Sequence, residues 1–125
     1  PMSKPAMSVK KILQQKTAEL APHFKPALLQ RRSTRFQFVF KQDDPFYLVV
    51  DGESFEFMTG QLEQPTVTLF IDQHETCWQL LTGTMDGMVA FMTGRYRADG
   101  NIVLSQLLLY LFRSDDPTIL YQVKD

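Results

Sequence analysis

The sequence predicts an α+β fold: a mostly antiparallel, twisted sheet of about five strands with helices gathered on one face. Three observations predict it. Helical periodicity occupies both ends of the sequence and one stretch in the middle. Period-two alternation occupies the segments between them. The first strands are joined by signals short enough for hairpins, which leaves the helices to collect on one face of the sheet.

In residues 8–20, Val9, Ile12, Leu13, Lys16 and Leu20 recur at spacings of three and four, with lysines and glutamines opposite. That is an amphipathic helix, and Pro22 ends it. Residues 23–32 read as a second, shorter helix with Phe24, Leu28 and Leu29 on one face and Pro26 in its first turn. The period then changes. Over residues 34–41, Phe36, Phe38 and Phe40 alternate with Arg35, Gln37 and Val39, as in a half-buried strand. Residues 46–50 and 53–58 form the next two strands, joined at Asp51-Gly52, because both residues of an Asp-Gly pair tolerate positive φ. Residues 66–71 add a strand with Val67, Leu69 and Ile71 inward. Asp72 with Glu75 three residues later reads as a capping box for a helix that runs to about Leu81 and stops at Gly83. A helical turn over 85–91 leads to a last strand, 92–98, with Arg95 and Arg97 out and Gly94 and Tyr96 in. Asp99-Gly100 reads as a tight turn and Asn101 as the N-cap of a final helix over 102–112. Phe38, Phe40, Leu48, Phe57, Leu69, Tyr96, Leu104, Leu107, Leu108 and Leu111 are expected to share one interior.

Length and composition bound the function. A chain of 125 residues is one domain, 1–125, large enough for a single core, and ten phenylalanines fill that core with flat rings. One cysteine, Cys77, cannot form an internal disulfide, and no stretch reads as a secretory leader or a membrane span. A reducing, cytoplasmic location is the expectation. Residues 1–7 are polar and expected to fray, with Pro1 a remnant of expression ahead of a natural start at Met2 or Met7. The net charge of −1 is unevenly placed. Residues 1–41 carry nine Lys and Arg against Glu19 alone, and residues 42–125 carry four bases against thirteen acids. The basic third is either a solvated surface on an acidic body or a face that meets an anionic membrane through Lys10, Lys11, Lys16, Arg31 and Arg32. Nucleic acid is not an expected partner, since the bases are not interleaved with aromatics.

The final helix carries the most information. Between Ile102 and Phe112 only Ser105 and Gln106 are frankly polar, so the helix must be covered on more than one side. More core, a partner chain or a bound apolar ligand could each cover it.

The segment Leu80-Leu81-Thr82-Gly83, then Ala90-Phe91-Met92-Thr93-Gly94-Arg95-Tyr96-Arg97-Ala98-Asp99-Gly100-Asn101, then the leucine-rich run to Leu111-Phe112, resembles the signature of the sterol-carrier-protein-2 family. Phe36-Gln37-Phe38 and the Asp51-Gly52 hairpin resemble it too, and the likeness covers residues 31–113. It implies helices enclosing an apolar tunnel against the sheet, in which Phe38, Phe40, Leu48, Phe57, Trp78, Leu81, Phe91, Tyr96, Leu104, Leu107, Leu108 and Leu111 would meet a lipid. Its members bind fatty acids, acyl-CoAs, sterols and other lipids. Related bacterial domains include accessory factors of quinone biosynthesis, and others are fused to alkyl sulfatases. The chain resembles a bacterial stand-alone member, because its last residues lack a peroxisomal signal.

No catalytic residue, metal site or cofactor is specified. His74-Glu75 begins like a zinc-protease motif, but Trp78 stands where the second histidine belongs. Cys77 lies within a helix with no base in view, and Gly83-Thr84-Met85-Asp86-Gly87 lacks the lysine of a phosphate loop. Asp43, Asp44, Asp115 and Asp116 sit beside Pro45 and Pro117 and read as turn residues. Three functions remain: lipid binding and transfer, presentation of a prenylated quinone-type intermediate to enzymes, and a structural module whose apolar helix is covered in a homodimer.

Overall fold

The computed structural model describes residues 8–30 and 32–113, so the expectations for residues 1–7, Arg31, Asp115 and Asp116 lie outside the described residues. The elements run α1 (Val9–Leu20), β1 (Thr34–Phe40), β2 (Phe46–Asp51), β3 (Ser54–Thr59), β4 (Val67–Ile71), α2 (His74–Thr82), α3 (Gly87–Met92), β5 (Tyr96–Gly100) and α4 (Ile102–Leu108). The five strands form one sheet in the order β3-β2-β1-β4-β5. Three neighbouring pairs are antiparallel, and the central pair, β1 with β4, is parallel.

α1 begins where expected, with the Ser8 hydroxyl accepting from the Lys11 amide at 3.2 Å. The second helix expected over residues 23–32 is absent. A 3-10 turn, Pro26–Leu29, stands in its place. Pro26 forces Lys25 out of helical conformation, to φ −119° and ψ 79°, and Gln30 turns left-handed at φ 54° to end the turn.

Register follows the alternation. Phe36 faces Leu48, Leu48 faces Phe57, and Phe38 faces Leu69 across the parallel pair, so these side chains share one face. The β2–β3 hairpin closes one residue later than Asp51-Gly52 suggests. Asp51 pairs with Ser54, and Gly52, at φ 64°, takes the first central position, the glycine pattern of a type II′ turn. Asp99-Gly100 is not a turn. Both residues extend β5 and pair with Thr68 and Val67 of β4. The start of β5 moves back correspondingly, because Met92 belongs to α3.

The capping box expected at α2 does not form. Asp72 accepts from its neighbour Gln73, and the His74 amide donates instead to Asp43 Oδ2, 2.8 Å away in the β1–β2 connection. His74 Nε2 also meets the Asp44 carbonyl at 2.8 Å, so the two aspartates read as turn residues organise the start of α2.

Under α1 and α2 the interior is filled by rings. Phe46 stacks on Trp78 with centroids 5.1 Å apart and planes 7° apart, and it also meets Phe38 at 5.2 Å and Phe40 at 5.1 Å. Phe112 continues the layer against Phe24 and Phe55. The core contains Phe38, Phe40, Leu48, Phe57, Leu69, Leu104, Leu108 and Leu111, with Tyr96 and Leu107 packed against it, the shared interior expected of them. Among the described residues the opposite face carries the loop after β3. There buried Gln37 donates to the carbonyls of Phe46 and Gly60 and accepts from the Leu62 amide, pinning the loop after β3 across the sheet.

Candidate functional site

The candidate site lies at the β5 edge, where α3 and α4 stand over the sheet. Asp86 opens α3, its carboxylate accepting from the amides of Met88 at 2.7 Å and Val89 at 3.3 Å. After Met92 the chain reverses through Gly94, whose amide donates to the Phe91 carbonyl, and enters β5. Asn101 then caps α4, accepting from the Leu104 amide at 3.0 Å. The final helix is shorter than predicted. It ends at Leu108, and Leu109–Tyr110 turn on i→i−3 bonds to bring Leu111 and Phe112 into the core. This early stop buries one part of the apolar run, Leu104 and Leu108 from the helix and Leu111 and Phe112 from the turn, while Ile102 and Val103 at its start stay exposed.

Between α3, β5 and α4 a groove of about 590 Å³ opens to the surface. Met88, Phe91, Ala98, Ile102 and Leu109 give it apolar walls, while Asp86, Gln106 and Arg113 sit among its lining residues. Tyr96 lines it as well, beside Ser105 of α4. Burial pushes the Tyr96 phenol above its ordinary pKa, and the Ser105 side chain offsets part of that rise. A second cavity of about 390 Å³ shares Phe91 and Tyr96 and adds Phe40, Phe70, Lys41, Arg95 and Arg97. A third, about 570 Å³, lies between α1 and β3, where Leu13, Phe57 and Met58 are joined by Lys10, Gln14, Thr17, Glu56 and Thr59. Volume suits any of the three to a small molecule, and the groove is distinguished by the large exposed apolar side chains of Met88, Phe91 and Ile102 in its lining.

The predicted ligand residues divide accordingly. Phe91 and Tyr96 line the groove, Phe40 the neighbouring cavity and Phe57 the α1–β3 cleft. Phe38, Leu48, Trp78, Leu81, Leu104, Leu108 and Leu111 are instead buried in the packed core, with Leu107 against it. Of the expected tunnel residues, Trp78 packs against Phe46 and Phe57 and Leu81 is 1% exposed in the core, while Phe91 lies at the opening of the groove. Met88, Ala98, Ile102 and Leu109 were not among the predicted site residues. The signal that could have found them is the almost wholly apolar run Gly87–Met92 behind a strong cap, too short to bury all its sides.

Among the described residues no group of three His, Cys, Asp or Glu could hold a metal ion, and no helix is long and apolar enough to cross a membrane. Burial raises the Cys77 thiol well above its usual pKa, which disfavours the nucleophilic thiolate.

Solved structures share the fold. The sec-alkylsulfatase Pisa1 from Pseudomonas sp. matches at TM-score 0.62 and 19% identity over 78% of this chain, which spans 16% of that enzyme. A protein described as UbiJ-SCP2, a ubiquinone synthesis protein, matches at TM-score 0.64 and 13% identity, covering 85% of this chain and 93% of its own. Palmitated SCP2L2 from Aedes aegypti matches at TM-score 0.56 and 21% identity, covering 82% and 92%. No curated protein sequence matches the chain. The model of the SCP-2 sterol transfer family matches residues 9–113, most of the chain, which therefore belongs to this family of non-catalytic lipid-binding and transfer domains.

Proposed function

We propose that the protein is a cytoplasmic carrier that binds a long-chain lipid, a fatty acid or acyl-CoA, in the groove between α3, β5 and α4. The observation that carries this reading is the groove itself: about 590 Å³, walled by Met88, Phe91, Ala98, Ile102 and Leu109, beside an otherwise filled interior. Burying a methylene contributes about 0.8 kcal/mol, so a sixteen-carbon chain gains on the order of 10 kcal/mol. Lost translational and chain freedom offsets several kcal/mol of that, which leaves an affinity near micromolar.

Titration with fluorescent fatty acids of increasing length tests the reading. Affinity should rise with length until the groove is full. Ala98→Phe should weaken binding about tenfold by plugging the groove, with the circular dichroism unchanged. Absence of binding by the folded wild type at tens of micromolar (roughly −6 kcal/mol) would end the carrier reading and promote a structural or dimer role.

A second reading is supported by the likeness to the ubiquinone synthesis protein, of which this chain covers almost the whole length. In it the same groove presents a prenylated quinone-type intermediate to biosynthetic enzymes. Preference for a prenylated quinone over a fatty acid of equal carbon count would decide for it.

A further inference from the structure

The sheet ends in two edge strands, β3 and β5. α1 packs against β3, whereas β5 is paired with β4 on one side and with no strand on the other. The Asp72 amide donates to the Arg95 carbonyl, which fixes the phase of the β4–β5 ladder. Arg97 and Asp99 therefore aim their backbone groups at β4, and Tyr96, Ala98 and Gly100 aim theirs outward. Among the described residues no loop or helix backbone bonds to those three. An edge of this kind is a template for one more strand.

The side chains specify which strand. Arg97 and Asp99 are exposed on the open face, and the ion pair formed among the described residues, Lys16–Glu19, involves neither. Arg97 lies over the Phe70 ring at 4.0 Å, which holds it in place. A second β5 laid antiparallel along the first must match its outward residues to Tyr96, Ala98 and Gly100. The register with Ala98 on Ala98 bonds all three, and it sets Arg97 opposite Asp99 of the second copy twice over. These are the close positions of the new ladder, with Cα atoms about 4.5 Å apart. Slipping two residues one way sets Arg97 on Arg97, and the other way Asp99 on Asp99, contacts that destabilise a strand pair. The other edge has no such match, because Ser54, Glu56 and Met58 alternate along β3 with no cation to answer Glu56.

We propose that the chain forms a two-fold dimer through β5, with Ala98 at the axis and Arg97 of each copy paired with Asp99 of the other. The contact is self-complementary, as a two-fold interface requires. On the inner face Tyr96 crosses to Gly100 of the second copy, where no side chain competes for room. Ala98 lines the groove, so the two grooves adjoin at the axis. A stable dimer buries about 1,200 Å² or more, beyond what one short ladder supplies. Met92 before β5 and Ile102 after it, 76% and 67% exposed, stand at the two ends of that ladder to add apolar area. The proposal holds whatever the groove binds.

Sedimentation equilibrium of the full chain over a concentration series tests this. The wild type should dimerise at tens of micromolar. Arg97→Asp and Asp99→Arg each set like charges across the axis and should weaken the dimer about tenfold. Combining the two changes restores opposite charges and should return the affinity to within about twofold of wild type. Both side chains are exposed, and circular dichroism checks that each variant keeps its fold. Amide hydrogen exchange supplies a readout that needs no variant. Protection of Tyr96, Ala98 and Gly100 should rise with protein concentration, while Arg97 and Asp99, already bonded to β4, should not change. A wild type that stays monomeric at hundreds of micromolar overturns the proposal. So does a dimer that both folded single variants form as tightly as wild type, a folded double variant as weak as the singles, or a dimer in which those three amides still exchange freely. Where a variant loses its fold, the exchange pattern of the wild type decides.

Discussion

Over β1, β2 and β3, Phe38, Phe40, Phe46 and Phe57 pack ring against ring with Trp78. Over β5, α3 turns Met88, Val89, Phe91 and Met92 to water, and a groove opens behind them. Both regions are rich in apolar residues, yet one is filled and the other is not. Helix length is one physical difference. α1 and α2 are long enough to turn one stripe inward and leave polar residues outside, whereas α3 has six residues, nearly all apolar, and a single inward position at Ala90. The filled region holds the fold, and the open one is free to take a ligand.

The largest expected effect separates the two regions directly. Phe46→Ala removes a fully buried ring that touches Phe38, Phe40, Phe57 and Trp78, and should cost about 3–5 kcal/mol in urea unfolding. Phe91→Ala, at an exposed ring, should cost less than about 1 kcal/mol yet weaken fatty-acid binding several-fold. Equal losses of stability would erase the distinction between core and rim.

A smaller effect comes from the β5 edge. Gly100 has φ 109°, and a Cβ there would stand 2.9 Å from the Thr66 carbonyl oxygen. Gly100→Ala should therefore destabilise by about 1–3 kcal/mol, a strain that a tight turn could have absorbed and a paired strand cannot. Thermal unfolding within a degree of wild type would contradict the strand assignment.

The smallest effect is alkaline. Burial raises the folded-state pKa of the Cys77 thiol, so above about pH 8.5 the unfolded chain releases a proton that the folded one keeps. Stability should be level with respect to this group below that pH and decline above it through the folded pKa. Cys77→Ala should remove that part of the decline. A Cys77→Ala profile with the same alkaline slope would assign the decline to other groups, such as Tyr96, whose phenol is also raised.

Much of the fold was legible in residue order. The Phe36-Phe38-Phe40 alternation fixed an inward face, and Ser8 and Asn101 marked helix starts through local bonds to Lys11 and Leu104. What escaped was long-range. Asp43 caps a helix 31 residues away, and β1 pairs in parallel with β4, and neither leaves a local signal. Asp99-Gly100 failed because the same dipeptide suits a turn and a strand end. The site was legible in its neighbourhood but not in its walls. The leucines of the final run face the core, while the groove uses Met88, Ala98, Ile102 and Leu109, because an apolar residue carries no mark of whether protein or ligand will cover it.

The central parallel pair also governs the order in which the sheet can assemble during synthesis. β1, β2 and β3 are consecutive and can close as a meander, but the other edge of β1 stays open until residues 67–71 arrive. Until then Phe36-Gln37-Phe38-Val39-Phe40 forms an unpaired border, rich in phenylalanine and without charge, of the kind that recruits strands from other chains. The growing polypeptide is thus most prone to aggregate before its fourth strand emerges, and the point of greatest hazard lies in the middle of the finished sheet.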